Sequence, residues 1–260
     1  MMLLGRWVLA ILMVLVCMPH SALAADLAKA IEGARPSILA IGTFQRARSP
    51  AFRFAGTAFA VGNGDLVVTN AHVLPATLAT DQFETLAVLL PDVGDGSPRI
   101  REVTRVAVDP DHDLAVLRVS GPPLPAMRLA GNTARRAGEV LLFTGYPIGN
   151  VLGAHPITHR AMISAVVPIA IPSGSAGQLD PKVIRRLSSG PFPVFQLDAV
   201  AYPGNSGSPL YDPESGEVVG VINMVLVRGT RESALSQPTG ITYAIPVEHL
   251  QRLLGSAPPR

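Results

Sequence analysis

The 260-residue chain has a single cysteine, Cys17, so no internal disulfide can staple it. Charge is also scarce. Charged residues make up 15% of the sequence, the formal net charge is +2, and Lys and Arg never run longer than pairs such as Arg135-Arg136 and Arg185-Arg186. This excludes the basic patch by which proteins hold nucleic acid or acidic membranes. Helical periodicity is rare, whereas hydrophobic residues reach 48% and Gly and Pro number 24 each. Apolar content of that order excludes a disordered chain. Dense Gly and Pro punctuation between short apolar runs points to many short strands.

The N-terminus reads as a targeting segment. Arg6 is followed by an apolar run from Trp7 to Cys17, too short to cross a bilayer comfortably, and Ala22-Leu23-Ala24 fits a small-x-small cleavage site. The expectation is a signal of residues 1–24 and a mature chain of residues 25–260 that has lost its cysteine. Membrane association is expected only if that segment is retained.

Within the mature chain, residues 26–34 read as a short helix with Leu27, Ala30 and Ile31 on one face, Asp26 as its cap and Pro36 as its stop. Strands are expected at 37–44, 52–61, 66–69, 85–90, 99–109 and 114–119. The proline-rich run 121–125 breaks regular structure and divides the chain in two. A second set is expected at 139–145, 155–167, 193–197, 208–211, 218–227 and 240–245, followed by a closing helix at 247–254. No internal repeat is visible in the residues. Residues 173–190, rich in Gly and Ser, read as a surface loop. The fold class is therefore all-β.

Three short motifs carry chemistry. In Pro203-Gly204-Asn205-Ser206-Gly207-Ser208-Pro209-Leu210 a serine stands on a glycine-flanked turn, where the missing Cβ atoms leave room around its hydroxyl. Serine is a weak nucleophile unless a base takes its proton. Thr69-Asn70-Ala71-His72-Val73 supplies a histidine, and His112-Asp113-Leu114-Ala115-Val116-Leu117 a carboxylate that begins a strand. Asp109 and Asp111 flank Pro110 and read as turn residues, while His112 is expected to face solvent on the opposite side from Asp113. His155 and His159 are four apart, but in a strand context with Pro156 between them they would not share a helical face, and no metal is expected there. Asp198 reads as support for the second half.

With its order His, Asp, Ser, the chain resembles the chymotrypsin-like serine proteases, and within them the bacterial HtrA/Deg branch without PDZ domains, over residues 38–250. The resemblance implies two six-stranded antiparallel β-barrels, the first over about residues 36–120 and the second over about 126–246. It implies His72, Asp113 and Ser206 as a catalytic triad and the N–H groups of Gly204 and Ser206 as the oxyanion hole. It also implies Ala199, Val200 and Tyr202 at the base of a substrate pocket, with Ile222, Asn223 and Met224 as its wall and edge strand. The family's usual string has glycine where this chain has Ser208. Digestive members carry an aspartate before the nucleophile that pairs with a freed N-terminus; here the residue is Asn205, so that ion pair is expected to be absent. The implied activity is hydrolysis of protein or peptide substrates after small or medium aliphatic residues, without metal or cofactor, in an exported and bacterial periplasmic protein. An inactive binding module on the same fold and an esterase are the alternatives. The sequence leaves the oligomeric state open.

Overall fold

The structure, a computed structural model, describes residues 21–91, 99–131, 134–147, 155–168, 191–223 and 240–256. Helix α1 (Ser21–Ala34) is followed by β1 (Ile38–Phe44), β2 (Phe52–Val61), β3 (Leu66–Asn70), β4 (Thr85–Leu89), β5 (Ile100–Asp109) and β6 (Leu114–Val119). The second half contributes β7 (Val140–Gly145), β8 (Ile157–Pro168), β9 (Pro193–Asp198), β10 (Pro209–Tyr211), β11 (Val218–Asn223), β12 (Ile241–Pro246) and helix α2 (Val247–Ser256). Each expected strand is present to within one or two residues where it is described. The continuation of β11 expected to residue 227, the loop at 173–190 and most of the targeting segment lie outside the described residues.

Both sets of six strands close into antiparallel barrels, ordered β1-β2-β3-β6-β5-β4 and β7-β8-β9-β12-β11-β10. Among the described strands closure leaves no edge within either barrel unpaired. The two orders are the same when each barrel is counted from its own first strand. The tandem architecture that the residues do not reveal is thus plain in the strand pairing. Each barrel fills with its own apolar residues, Leu39, Ala58, Val67, Val88 and Leu117 in the first and Phe143, Ile163, Leu197, Leu210 and Val221 in the second, all buried. The linker crosses between them in extended form, with Met127 N–H donating to Ala60 O and Ala130 N–H to Val218 O.

Two expectations are corrected. Helix α1 begins at Ser21, not Asp26. Ser21-Ala22-Leu23-Ala24-Ala25 holds strong helix formers and no breaker, so nothing stops the helix from running back past the proposed cap. Among the described residues no helix is long and apolar enough to cross a membrane. His112 is half-buried rather than turned out to solvent. Its ring packs edge-on to Phe192 at 4.6 Å and lies 4.0 Å from the ring of His249 on α2, and its Nδ1 donates to Asp109 Oδ2 at 2.6 Å. Asp109 Oδ1 also accepts the N–H groups of Asp111 and His112, which fixes the turn that leads to Asp113.

Helix α2 touches β5 and β6 of the first barrel and β11 and β12 of the second, burying Val247, His249, Leu250 and Leu253. Burial, reinforced by the nearby His112 and Arg252, holds the His249 imidazole down at about 4 from its ordinary 6.5. In the unfolded chain it would take up a proton near 6.5. The folded state therefore binds fewer protons between the two values, and stability falls as pH drops from about 6.5 through about 4. Urea unfolding between pH 7 and 5 should show this loss, at a slope of at most ~1.4 kcal/mol per pH unit. His249→Phe should flatten it; an unchanged slope in that variant would refute the assignment.

Candidate active site

The three motifs meet in the cleft between the barrels. His72 sits on a single 3-10 turn (Ala71–Val73) that ends β3. Asp113 precedes β6 in the left-handed region, φ 55°, a conformation that aspartate tolerates better than most residues. Two first-barrel bonds hold it there: its carbonyl accepts Ala71 N–H at 3.1 Å and Asn70 Nδ2 at 3.0 Å. Ser206 lies on the turn between β9 and β10, and its carbonyl accepts Thr57 N–H of β2 at 2.9 Å.

His72 Nε2 is 3.0 Å from Ser206 Oγ, and His72 Nδ1 is 2.6 Å from Asp113 Oδ2. A carboxylate only accepts, so Nδ1 carries the proton and Nε2 turns its lone pair toward the serine hydroxyl. Asp113 is 4% exposed. A carboxylate that deep needs donors around it. It has three: His72 Nδ1–H, the His72 backbone N–H at 2.9 Å to Oδ1, and Asn223 Nδ2 at 2.7 Å to Oδ2.

The role of Asn223 on the acid was missed in the sequence, where it was expected in the wall of a substrate pocket. Its side chain is buried and turned to Asp113 from the second barrel. Ile222 likewise does not form an open wall. Its side chain is wholly buried in the second-barrel core. Its N–H donates to Ser208 O and its carbonyl accepts Gly207 N–H, so its backbone already has partners. Ala199, Val200 and Tyr202 are partly exposed on the segment between β9 and the nucleophile turn. Met224 lies outside the described residues. Asp198 ends β9 and pairs with Met162 and Ile241. His159 stacks on Phe143 at 4.7 Å, and burial pushes its imidazole below its ordinary range; His155 is exposed.

The turn before the nucleophile closes by Asn205 N–H donating to Tyr202 O at 2.9 Å. Pro203 precedes Gly204, whose φ is +103°, the signature of a type II turn. A Cβ on Gly204 would overlap the Tyr146 carbonyl oxygen, and one on Gly207 would overlap the Thr57 carbonyl oxygen, so glycine is required at both for sterics as well as for φ. Among the described residues neither Gly204 N–H nor Ser206 N–H donates to a protein acceptor.

Ser208, the departure from the family's string, is wholly buried, and a facing glycine makes room for it. A Cβ on Gly145 would overlap Ser208 Oγ and would sit 2.9 Å from Asn205 Oδ1 and from Thr57 Oγ1. Gly145→Ala should destabilise the fold by about 1–3 kcal/mol through overpacking. The penalty should be smaller in a Ser208→Gly background, because the worst overlap is gone. Equal penalties in a denaturation cycle would show that the two positions do not share this space.

The Trypsin-like peptidase domain model matches residues 56–221. The chain is 28% identical over 204 residues to a probable periplasmic serine endoprotease DegP-like from Pseudomonas putida, covering 78% of this chain and 36% of that protein. It is 31% identical over 190 residues to the chloroplastic protease Do-like 5 of Arabidopsis thaliana, covering 72% and 51%. The chain thus spans about a third to a half of the length of these relatives. Among solved structures, the HtrA-type protease AlgW with tripeptide superposes at a TM-score of 0.58 with 26% identity, over 88% of this chain and 62% of that one. The serine endoprotease from Yersinia pestis superposes at 0.60 with 24% identity, over 88% and 65%, and shares the fold. The double barrel, the matched residues and these relatives agree, and the chain belongs to the trypsin-like peptidase domain family.

Proposed function

We propose that this chain is an exported serine endopeptidase that cleaves protein or peptide substrates through an acyl-enzyme. The observation that carries the reading is the unbroken line of hydrogen-bonded side chains from Ser206 Oγ through His72 to Asp113, at 3.0 and 2.6 Å. As Ser206 Oγ attacks the scissile carbonyl carbon, its proton passes to His72 Nε2. The buried Asp113 carboxylate stabilises the imidazolium and keeps the ring oriented. The N–H groups of Gly204 and Ser206 receive the oxyanion. His72 then gives its proton to the departing amine nitrogen as the C–N bond breaks. A water, deprotonated by the same Nε2, then bonds to the acyl carbon; the ester bond to Ser206 breaks and Oγ takes the proton back from the imidazolium.

The reading of export rests on the N-terminal pattern of residues 1–24 and on periplasmic relatives such as the Pseudomonas putida protein. The pocket segment Ala199-Val200-Ala201-Tyr202 has no carboxylate within it to meet a Lys or Arg side chain. A buried cation without a partner is disfavoured by several kcal/mol, more than its methylene stem recovers. Small and medium aliphatic side chains therefore suit the site best.

Ser206→Ala and His72→Ala should each leave a folded protein and lower turnover of casein by roughly 10⁴-fold or more, since triad members act as a unit. Labelling by a fluorophosphonate should vanish in both. Appreciable proteolysis by purified Ser206→Ala would sink the assignment, and turnover of simple esters without any of casein would favour an esterase.

Mass spectrometry of peptides released from an unfolded protein should place most cuts after small or medium aliphatic residues. A profile dominated by Lys and Arg would overturn the pocket reading while leaving the triad reading intact.

A further inference from the structure

We infer that Thr57, on the first barrel, is the positioning residue that holds the oxyanion turn of the second barrel in its donor-ready form. The inference rests on the proteolytic reading above.

Thr57 is wholly buried and touches the nucleophile turn at two points. Its N–H donates to Ser206 O at 2.9 Å, and its Oγ1 donates to Gly204 O at 2.7 Å. The direction of the hydroxyl is fixed. Thr57 Oγ1 accepts Tyr146 N–H at 3.0 Å, and a threonine hydroxyl has one hydrogen, so that hydrogen goes to Gly204 O. Its own carbonyl accepts Thr69 Oγ1 at 2.7 Å, from the strand that delivers His72. Thr57 thus stands between the strand that carries the base and the turn that carries the nucleophile.

The consequence for the oxyanion site follows from peptide geometry. The Gly204 N–H belongs to the peptide between Pro203 and Gly204. That peptide can rotate as a unit when Pro203 ψ and Gly204 φ change together, and glycine permits the rotation because it accepts either sign of φ. Rotation would turn the Gly204 N–H away from the substrate. On the far side of Gly204, the next peptide is held by its carbonyl to Thr57 Oγ1, and the turn is closed by Asn205 N–H to Tyr202 O. These bonds and that of the Ser206 carbonyl to Thr57 N–H fix the backbone on which the Gly204 N–H is mounted, and Gly204 stands there at φ +103°. Asn205, wholly buried, offers a neutral amide here where an ion pair could otherwise order the turn, so the ordering falls to bonds such as those of Thr57.

The test compares wild type, Thr57→Val and Thr57→Ser on a peptide substrate. Valine keeps the shape and the backbone N–H bond but removes the hydroxyl. Thr57→Val should lower kcat roughly 10- to 100-fold, the scale of a small misplacement of reacting groups, with KM changed by less than about threefold. Thr57→Ser, which keeps the hydroxyl, should recover kcat to within a few-fold of wild type. A peptide boronate, which forms the tetrahedral oxyanion, should bind Thr57→Val more weakly by a factor similar to the kcat loss, while a non-reacting product peptide binds equally. Thr57→Ala removes the same hydroxyl and carries the same expectation should valine impair folding. Wild-type kcat in the folded valine or alanine variant would overturn the inference. So would a serine variant as impaired as valine, or equal loss of boronate and product-peptide binding. Wild type without proteolysis would overturn the proteolytic reading and this inference with it; an active wild type with an indifferent Thr57→Val overturns this inference alone.

Discussion

A carboxylate cannot be taken out of water unless its lone pairs meet donors, and Asp113 is 4% exposed. Its donors come from both halves of the molecule: two from His72 on the first barrel and one from Asn223 on the second. Neither barrel alone satisfies it. Docking of the barrels therefore takes the carboxylate out of water and supplies its third donor in the same step. The left-handed backbone at Asp113 is tolerated within that arrangement because Asn70 and Ala71 bond its carbonyl.

Close backbone approach is the second constraint on the cleft. The nucleophile turn lies so near β2 and the end of β7 that side chains at Gly145, Gly204 and Gly207 would run into backbone oxygens or Ser208 Oγ. Polar groups then fill the narrow space, and Thr57, Thr69, Ser208 and Asn205 are all wholly buried there. A seam of this kind is rigid because interiors close-packed at crystal-like density cannot deform continuously. It keeps Ser206 Oγ at hydrogen-bond distance from His72 without any covalent cross-link.

Most of the fold was legible because β-structure writes itself in apolar runs separated by Gly and Pro, and those runs here rarely compete with helical periodicity. His72, Asp113 and Ser206 were legible because each lies in a short string whose residue types suit its place, and the structure brings their side chains together. The contacts that were not legible are those that depend on pairing across the chain. Asn223 reads as one more residue in an apolar strand, and only the docking of β11 beside the His72 turn reveals its bond to Asp113. Ile222 was placed in a pocket wall by resemblance, which carries over a position in the strand but not the direction of its side chain. His112 was expected in solvent because strand alternation gives faces but not which face is lined by core; Phe192 and His249, 80 and 137 positions away in sequence, pack against it. The start of α1 was misplaced because a good capping residue, Asp26, is no barrier to a helix that has strong formers on both sides.

The groups that respond to pH and the groups that shape the oxyanion turn lie on opposite sides of the site. Around Ser206 the anchors are neutral: backbone amides, that of Asn205 among them, and the hydroxyls of Thr57 and Thr69. None of these titrates in the range where proteins stay folded, so the turn has no reason to change shape with pH. The acid side differs. His112 adjoins Asp113 in sequence, bonds Asp109 and packs against the ring of His249, whose imidazole is kept neutral by burial on the inner face of helix α2. A proton forced into that cluster would act on the seat of α2 and on the turn from Asp109 to Asp113. It would act on Asp113 before it reached Ser206. On the proposed mechanism, loss of activity at low pH through this cluster would therefore arise from the His72–Asp113 end of the line, while the turn from Gly204 to Ser206 stayed as it is.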